Sequence, residues 1–387
     1  YYRSVYCTHF DWTFLVNLRK GLLQAIKSIR ENMPTTLVWK ELAEPRQAYI
    51  LNRGQYDSVG EPVDRQTPSF LPAMEKGSSN DRLGLARWLV SATHPLTSRV
   101  AVNRYWQQLF GTGIVKTSED FGSQGSTPSH PELLDWLSVD FRENGWNVKR
   151  LIKSIVMSNA YRRSAEFSYE QLQIDPNNRL LARGPRYRLD GEMLRDQALA
   201  VSERLVDKIG GPSVKPPQPA GLWEAVGYSS SNTAVFVPDS DDKIYRRSVY
   251  MFWKRTSPPP QMTAFDAPSR EACTARRERT NTPLQALVLM NETQYMEAAK
   301  AFAQRVLSEA DGSTTPTRID WAFETITMRP PTAKERQEME SLIDDLTVYY
   351  EQHHELASQL GGESSPEFAA WVVAASTLLN LDEVLCK

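Results

Sequence analysis

Arginine residues are concentrated directly before a predicted helix start, in the run Arg276-Arg277-Glu278-Arg279-Thr280-Asn281-Thr282-Pro283-Leu284-Gln285. Thr282 and Gln285 have the spacing of a capping box, and the proline after Thr282 suits the first helical position. The free amides and the positive dipole end of such a helix attract anions, and guanidinium groups add to that attraction. The run therefore indicates either a site for a carboxylate, sulfate or phosphate of a ligand, or an ion-pair network with carboxylates of the protein itself.

The internal network is the interpretation that the sequence favours, because Asp266 and Glu271 lie close by in sequence as possible partners. The functional alternative is an external anion site. Its candidate ligand-binding residues are Arg276, Arg277, Arg279, Lys254 and Trp253.

Lys254 and Trp253 belong to a second run that is both basic and aromatic. The other members of this run are Tyr245, Arg246, Arg247, Tyr250, Phe252 and Arg255. Arginine and aromatic side chains together stack on sugars or bases. In a β-hairpin, which we predict here, such residues more often form one half-buried face and one solvated face.

No pair of acidic residues has the arrangement that a hydrolase requires. Glu119 and Asp120 are adjacent, whereas a catalytic pair needs opposed carboxyl groups about 5 to 9.5 Å apart. Ser118, directly before them, is more simply interpreted as a helix cap. The chain has no Gly-x-Ser-x-Gly elbow, phosphate-binding loop or dinucleotide fingerprint. Catalytic residues are therefore unknown, and enzymatic activity is left open.

Metal-binding patterns are missing from the sequence. The five histidines include no helical pair at i, i+4 spacing, and the adjacent His353 and His354 point about 100° apart on a helix. Asp239, Asp241 and Asp242 form an oxygen-rich stretch without the glycine and distal glutamate of an EF-hand loop, which indicates a solvated turn. We expect no metal in this chain.

The three cysteines, Cys7, Cys273 and Cys386, are far apart in sequence and include no Cys-x-x-Cys-His motif for haem attachment. Three free thiols are the favoured interpretation, and one disulfide with one free thiol is the alternative. We expect no cofactor in this chain.

The composition is that of an ordinary folded protein. The 387 residues are 41% hydrophobic and 24% charged, which excludes wholesale disorder. Lys+Arg is 45 against Asp+Glu 47, for a net charge of -2, so binding of nucleic acid through bulk charge is not expected. No run approaches the roughly 20 apolar residues of a membrane helix, so no transmembrane segment is predicted.

The elements that must position these residues are mostly helices. We predict a predominantly α-helical fold with a small antiparallel β element in a proline-rich insertion. The β element is predicted from two β-branched or aromatic runs, Thr233 to Val237 and Ser248 to Trp253. The predicted parts are an N-terminal helix plus extended segment at 1–78, a helical subdomain at 79–210, the insertion at 211–270 and a C-terminal helical subdomain at 271–387.

Helix starts are predicted from capping signals. Besides Thr282, capping boxes are predicted at Ser129 and at Thr332, and Ser365 before Pro366 starts the last long helix. Asp190 is predicted to cap a helix that runs through Leu205.

Seven long runs of the chain resemble one family closely. They are RLGLARWLV (82–90), HPLTSRVAVNRYWQQLFGTGIVKTSEDFGSQG (94–125), HPELLDWL (130–137), DPNNRLLARGPRYRLDGEMLRDQAL (175–199), KIGGPSVKPPQPAGLW (208–223), YRRSVYMFWKRTSPPPQM (245–262) and FDAPSREACTARRERTNTPLQALVLMN (265–291). The family is the planctomycete-specific domain of unknown function that is found C-terminal to planctomycete-type cytochrome c modules. The resemblance covers about residues 34 to 385.

The resemblance implies an exported protein, located in the periplasm or at the cell surface. Members commonly carry an N-terminal haem-binding cytochrome-like module and a second domain of unknown function before this one. Haem is then expected on an upstream module, in the same or a partner chain, and not in the chain described here. The family brings no established catalytic residues.

The expected function is that of a domain of an exported, cytochrome-linked surface protein that binds a partner protein or an anionic polysaccharide. Two alternatives stay open. One is an enzyme that acts on a polysaccharide or sulfated sugar, in which the arginines hold the anion while Asp266 and Glu271 transfer protons. The other is a structural subunit of a surface assembly.

Overall fold

The computed structural model describes residues 10–228, 230–361 and 365–387. The chain divides into two units, Tyr1–His94 and Pro95–Lys387. It is mainly helical, with one antiparallel sheet of two strands among the described residues. The predicted fold class is therefore confirmed, and the four-part division stays a prediction.

From residue 10 onward, the first unit contains two α-helices, the sheet and a short 3-10 helix (Asn52–Gly54) between its strands. Its elements are α1 (Phe10–Glu31), β1 (Ala48–Leu51), β2 (Val59–Val63) and α2 (Arg82–Leu89). Asp81 caps α2 by accepting from the amide of Gly84 at 2.8 Å. The indole of Trp88 donates to the carbonyl of Pro72 at 2.6 Å, so α2 fastens the extended chain that precedes it.

The second unit contains the remaining described helices. They are α3 (Thr97–Phe110), α4 (Pro131–Glu143), α5 (Val148–Val156), α6 (Tyr169–Ile174), α7 (Gly191–Val201), α8 (Pro260–Ala264), α9 (Pro283–Asn291), α10 (Thr293–Glu309), α11 (Thr315–Thr327), α12 (Ala333–Gln352), α13 (His354–Gly361), α14 (Pro366–Leu379) and α15 (Asp382–Leu385).

Helices α3, α4 and α5 enclose one hydrophobic core, with Val102, Ile114 and Leu151 among its most deeply buried residues. A buried polar group supports this core from the loop after α3. Asn103 exchanges hydrogen bonds with the backbone of Val115, accepting at 2.8 Å and donating at 3.0 Å. This loop is fixed to α3, and it later forms one wall of the candidate site.

Three predicted capping roles are wrong. Ser129 does not cap α4, which begins after His130, because its amide and hydroxyl donate to the carbonyl of Ile114. Ser118 lies in a turn and donates its hydroxyl to Gln107. Asp190 precedes α7 but makes no side-chain cap, because arginine side chains engage its carboxylate, as described below.

Helix α7 also ends earlier than predicted, at Val201 instead of Leu205. Glu203 has a φ of 57°, in the left-handed region, and this conformation ends the helical path. The amides of Arg204 and Leu205 turn back to the carbonyl of Leu199.

The proline-rich segment is held by arginine side chains. Arg195 on α7 is 1% exposed, and its guanidinium donates to the carbonyls of Ile244 and Arg246 at 2.6 and 2.9 Å. The same guanidinium donates to Ser248 Oγ at 3.0 Å and Gln294 Oε1 at 2.7 Å.

Arg246 repeats this pattern within the segment. Its guanidinium donates to the carbonyls of Lys208, Gly210 and Pro212 at 2.8, 2.5 and 2.8 Å. These three main-chain carbonyls therefore accept hydrogen bonds from an arginine side chain and not from the amides of a neighbouring strand.

The predicted position of the sheet is wrong, because the run at 248–253 bonds to Val214 and not to residues 233–237. The Val214 amide donates to the Tyr250 carbonyl at 2.8 Å, and the Phe252 amide donates to the Val214 carbonyl at 2.7 Å. Residues 233–237 form turns, bends and irregular chain, and Ser248–Tyr250 is a short 3-10 helix. The paired strands are instead β1 and β2, in the segment that was expected to be extended chain and turns.

The C-terminal helices pack around α14, which lies against α10 and α12. The core contains small and large residues in contact, with Ala298, Phe302, Ile319 and Trp371 almost fully buried. The capping signals at Thr332 and Ser365 are confirmed, since each side chain accepts from an amide three residues on at 3.2 Å.

Glu335 ties the start of α12 to neighbouring segments. It accepts from the Arg329 guanidinium at 2.7 and 2.9 Å and from the Thr332 amide at 2.7 Å. The hydrogen bond from Arg329 is the main reason that the pKa of Glu335 is lowered to about 2. A carboxylate with a lowered pKa in the folded state stabilises the fold above its ordinary pKa and loses that effect on acidification.

Glu335→Gln is therefore expected to lower stability modestly at neutral pH, by less than about 1 kcal/mol for such a half-exposed pair. The difference from the wild type should shrink between about pH 5 and pH 2. Urea unfolding at several pH values measures this. Glu338→Gln, on the same helix but far more exposed, is the control. A difference that stays constant over this pH range would contradict the assignment.

No helix in the described part of the chain combines the length and the apolar character that crossing a membrane requires.

Candidate functional site

Arg276, Arg277 and Arg279 lie together at a cleft in the second unit with a volume of about 300 Å³. We call it the arginine cleft. Its walls come from the end of α3, the loop before α4, the loop between α6 and α7, and the loop between α8 and α9. The lining residues are Trp106, Phe110, Gly111, Thr112, Ser129, His130, Asn177, Asn178, Arg179, Leu181, Pro185, Arg186, Tyr187, Arg276, Arg277 and Arg279. Five of these described residues are arginines, and none is aspartate or glutamate.

Arg277 is bound to carboxylates behind the cleft wall. Its guanidinium donates to the two carboxylate oxygens of Glu192 at 2.6 and 3.1 Å and lies 3.5 Å from Asp190. Burial acts to raise the pKa of Glu192, but the hydrogen bonds and charge of Arg277 outweigh it and lower that pKa. The pair therefore joins the loop of 276–279 to the first turn of α7.

Arg279 is fixed from three sides. It donates to the carbonyl of Gly111 at 3.1 Å, lies 3.5 Å from Asp190 and stacks on the Tyr187 ring, 4.6 Å from the ring centroid. Gly111 has a φ of 77°, and a Cβ there would stand 2.8 Å from the Tyr187 ring, so only glycine fits. Burial raises the pKa of Tyr187, whose hydroxyl donates to the carbonyl of Gln108.

Arg179 carries its charge without a close carboxylate. Its guanidinium donates to the carbonyls of Gly113 and Ile114 at 2.7 and 2.9 Å. Burial lowers the pKa of Arg179, with Asp175 opposing that effect. Arg179, Arg277 and Arg279 are the wall arginines of the cleft.

The other two arginines are more exposed. The Arg276 side chain is 43% exposed and lies 3.9 Å from Glu119, beyond hydrogen-bond distance. The Arg186 side chain is 56% exposed and pairs with Asp382. Arg186 and Arg276 are the rim arginines.

Lys254 and Trp253 do not line the arginine cleft. The Lys254 ammonium donates to the carbonyl of Thr233 at 2.8 Å and lies over the buried Trp223 ring. The Trp253 indole donates to the carbonyl of Ser269 at 3.2 Å, and Arg270 covers its ring. The structure therefore brings together three of the five candidate residues.

Asp266 and Glu271, the acidic partners that the sequence suggested for the arginines at 276–279, bind other residues. Asp266 accepts from the amide and hydroxyl of Thr280 at 2.7 and 2.8 Å, and Glu271 lies 3.8 Å from Arg255. Neither acid lines the cleft, so the proton-transfer roles expected for them have no support here.

The predicted helix start at Thr282 exists, but it does not contribute to the cleft. Thr282 and Gln285 adopt a capping-box arrangement at the start of α9, with the Thr282 amide donating to Gln285 Oε1 at 3.4 Å. Neither residue lines the cleft. The anion-attracting amides of α9 are therefore separate from the arginine side chains.

Sequence reasoning missed Arg179, Arg186 and Tyr187. A local signal was present, because Arg179, Arg183, Arg186 and Arg188 fall within ten residues. Nothing in the sequence showed that this run meets the run at 276–279.

The described residues contain no group of three or more His, Cys, Asp or Glu side chains arranged to hold a metal ion. Cys273 is an exposed free thiol, and Cys386 is a half-buried one. Cys7 lies outside the described residues.

A family model described as "Protein of unknown function (DUF1553)", with the short name PSD1, matches residues 81–343. The match spans well over half of the chain, and the chain belongs to this family of domains of unknown function. No curated protein and no solved structure matches it.

Proposed function

We propose that this domain binds an anionic polysaccharide through the arginine cleft. The observation that carries the proposal is the set of five arginines lining the cleft without an acidic residue among them. Guanidinium groups bind sulfate and carboxylate groups through charge-assisted, often bidentate, hydrogen bonds. A cleft with this lining favours an anionic ligand and disfavours a neutral or cationic one.

The charge balance behind the lining supports the proposal. Asp190 lies near two guanidinium groups, those of Arg277 and Arg279, and Glu192 pairs with Arg277. Arg179 has only backbone carbonyls as hydrogen-bond acceptors. Asp175 acts on this half-buried charge, but the acceptors in contact with it are carbonyl dipoles, which solvate the charge without neutralising it, so it still attracts a counter-charge.

We propose the wider setting from the sequence resemblance. In this proposal the domain belongs to an exported, extracytoplasmic surface protein of planctomycete type, linked to a cytochrome c-like module that carries haem. Native mass spectrometry of the protein purified from its source tests this setting. A mass without any haem-bearing module or partner would contradict it.

Binding of dextran sulfate tests the proposed function, with uncharged dextran as the control ligand. We expect binding that weakens as salt is added, because exposed charges are screened over about 8–10 Å at physiological ionic strength. Arg276→Ala and Arg186→Ala should each weaken binding about tenfold, the effect of losing a hydrogen bond to a charged group. Calorimetry measures the affinity.

Arg104→Ala is the matched control, because Arg104 is exposed on α3 and does not line the cleft. An equal effect of all three substitutions would indicate a general charge effect and contradict a site at the cleft. Failure of the wild type to bind dextran sulfate would overturn the proposed function.

A second candidate function, binding of a partner protein, is favoured by α1. Its apolar side chains Phe14, Leu18, Leu22, Ile26 and Ile29 are all exposed, from 46 to 63%. Apolar side chains repeated along one helix are typical of a surface that a partner covers. Leu18→Glu with Leu22→Glu should abolish co-purification of a cytochrome-like module from the source, and retained co-purification would contradict this candidate.

A further inference from the structure

We infer that the arginine cleft takes one compact oxyanion group, such as a sulfate ester, and that this group displaces Glu119 and Asp382 from the rim arginines. The inference rests on the proposed function, because it concerns the same cleft. It names the part of the ligand that is recognised and two carboxylates of the protein that compete with it.

Contacts within the protein hold the wall arginines in place. Arg179 uses both terminal nitrogens on backbone carbonyls, and Arg277 uses both on Glu192. Arg279 uses one terminal nitrogen on the carbonyl of Gly111 and directs the other toward Asp190. These three groups set a positive potential but are not free to turn toward a ligand.

The rim arginines are free to change partners. Arg276 makes only a 3.9 Å contact with Glu119, and both side chains are about half exposed. Arg186 and Asp382 are 56 and 57% exposed. Exposed ion pairs of this type contribute little, because water solvates each charge nearly as well as the partner does. An incoming oxyanion in the field of the wall arginines therefore competes successfully with either carboxylate.

The aromatic residues of the cleft offer no platform for a sugar ring. Tyr187 is covered by Arg279 and contacts the backbone of Gly111. Trp106 is 5% exposed and is stacked on Phe110, with ring centroids 4.1 Å apart. The cleft volume of about 300 Å³ is also at the small end for ligand pockets. The cleft therefore recognises the charged group and contributes little to recognition of the sugar that carries it.

Glu119→Gln and Asp382→Asn test the competition, since each removes a charge and keeps the side-chain shape. The probes are inorganic sulfate, glucose 6-sulfate and dextran sulfate, measured by calorimetry at fixed low salt. Each substitution should tighten the binding of all three probes about two- to fivefold, the range for loss of an exposed competing pair. The double variant should combine the two gains.

Glu324→Gln is the control for net charge. Glu324 is exposed on α11, it has no ion-pair partner among the described side chains, and it does not line the cleft. Glu324→Gln should leave the affinity for all three probes unchanged. An equal gain in the control, or no gain in Glu119→Gln and Asp382→Asn, would overturn the inference while leaving the proposed function intact.

The three probes distinguish the proposed function, binding of an anionic polysaccharide, from the inference that the cleft takes one compact oxyanion. If the small sulfates bind with the expected gains but dextran sulfate does not, the proposed function fails and the inference stands. If dextran sulfate binds and the small sulfates do not, recognition of one compact oxyanion is overturned. If no probe binds any variant, both claims fail.

Discussion

Arg195→Met is expected to destabilise the second unit by about 3–5 kcal/mol, the effect of breaking a buried charged network. The substitution removes the donor from three buried acceptors, on Arg246, Ser248 and Gln294. The Ile244 carbonyl also loses Arg195 but keeps the Gln294 amide as a donor at 3.0 Å. Each unsatisfied buried acceptor costs about 1–3 kcal/mol, partly offset because the desolvated charge is also removed. Burial lowers the pKa of Arg195, which shows how fully that charge is withdrawn from water.

Urea unfolding followed by tryptophan fluorescence measures the loss, and hydrogen exchange at residues 244–251 locates it. Arg104→Met, at an exposed position of α3, is the matched control and should change stability by less than about 0.5 kcal/mol. Arg195→Lys should recover only part of the loss, because an ammonium lacks the planar fork that reaches several acceptors. A loss below about 1 kcal/mol for Arg195→Met would show that the proline-rich segment is held by other contacts.

Arg277→Ala should destabilise the protein by about 2–3 kcal/mol, in the range for hydrogen bonds to charged groups. The substitution leaves Glu192 ionised and mostly buried without its main partner. Without Arg277, burial dominates and the pKa of Glu192 rises instead of falling. Protonation of Glu192 then stabilises the folded variant but destabilises the folded wild type. The difference between their free energies of unfolding is therefore largest at neutral pH and narrows toward pH 3.

A double-mutant cycle with Glu192→Gln isolates the pair, and we expect a coupling energy of about 1–2 kcal/mol. Arg150→Ala serves as the comparison, because its ion pair with Asp140 is on the surface, and it should cost less than about 1 kcal/mol. A coupling energy near zero would mean that the loop of 276–279 is held without this pair.

Local signals in the sequence predicted some of the local structure, since the caps at Thr332 and Ser365 are present and those expected at Ser118, Ser129 and Asp190 are not. The capping signals at Thr332 and Ser365 were sufficient to place α12 and α14, because a cap involves residues only three positions apart. The predicted position of the sheet was wrong because the run at 248–253 bonds to Val214, which is distant in sequence, and local β preference does not report such a contact.

The candidate site was predictable only in part for a similar reason. The density of charge at 276–279 identified one wall of the cleft. Its partners were sought at Asp266 and Glu271, whereas Arg277 pairs with Glu192, which is 85 residues away in sequence. Ion pairs depend on distance in space, and neighbourhood along the chain predicts that distance poorly once loops intervene.

Because Arg195 and Arg246 donate to main-chain carbonyls, their hydrogen bonds depend little on which side chains stand at the acceptor positions. The acceptor groups at Lys208, Gly210, Pro212 and Ile244 belong to the main chain, so they are the same whichever side chain stands there. Homologous chains can therefore vary at Lys208 and Ile244 and keep these hydrogen bonds, provided that the arginines at 195 and 246 remain, whereas the φ of 82° at Gly210 favours glycine. Asp196 lies 3.5 Å from Arg195, but the hydrogen bonds between the guanidinium groups and the main-chain carbonyls themselves involve no carboxylate. Acid that protonates carboxylates therefore does not remove these hydrogen bonds directly.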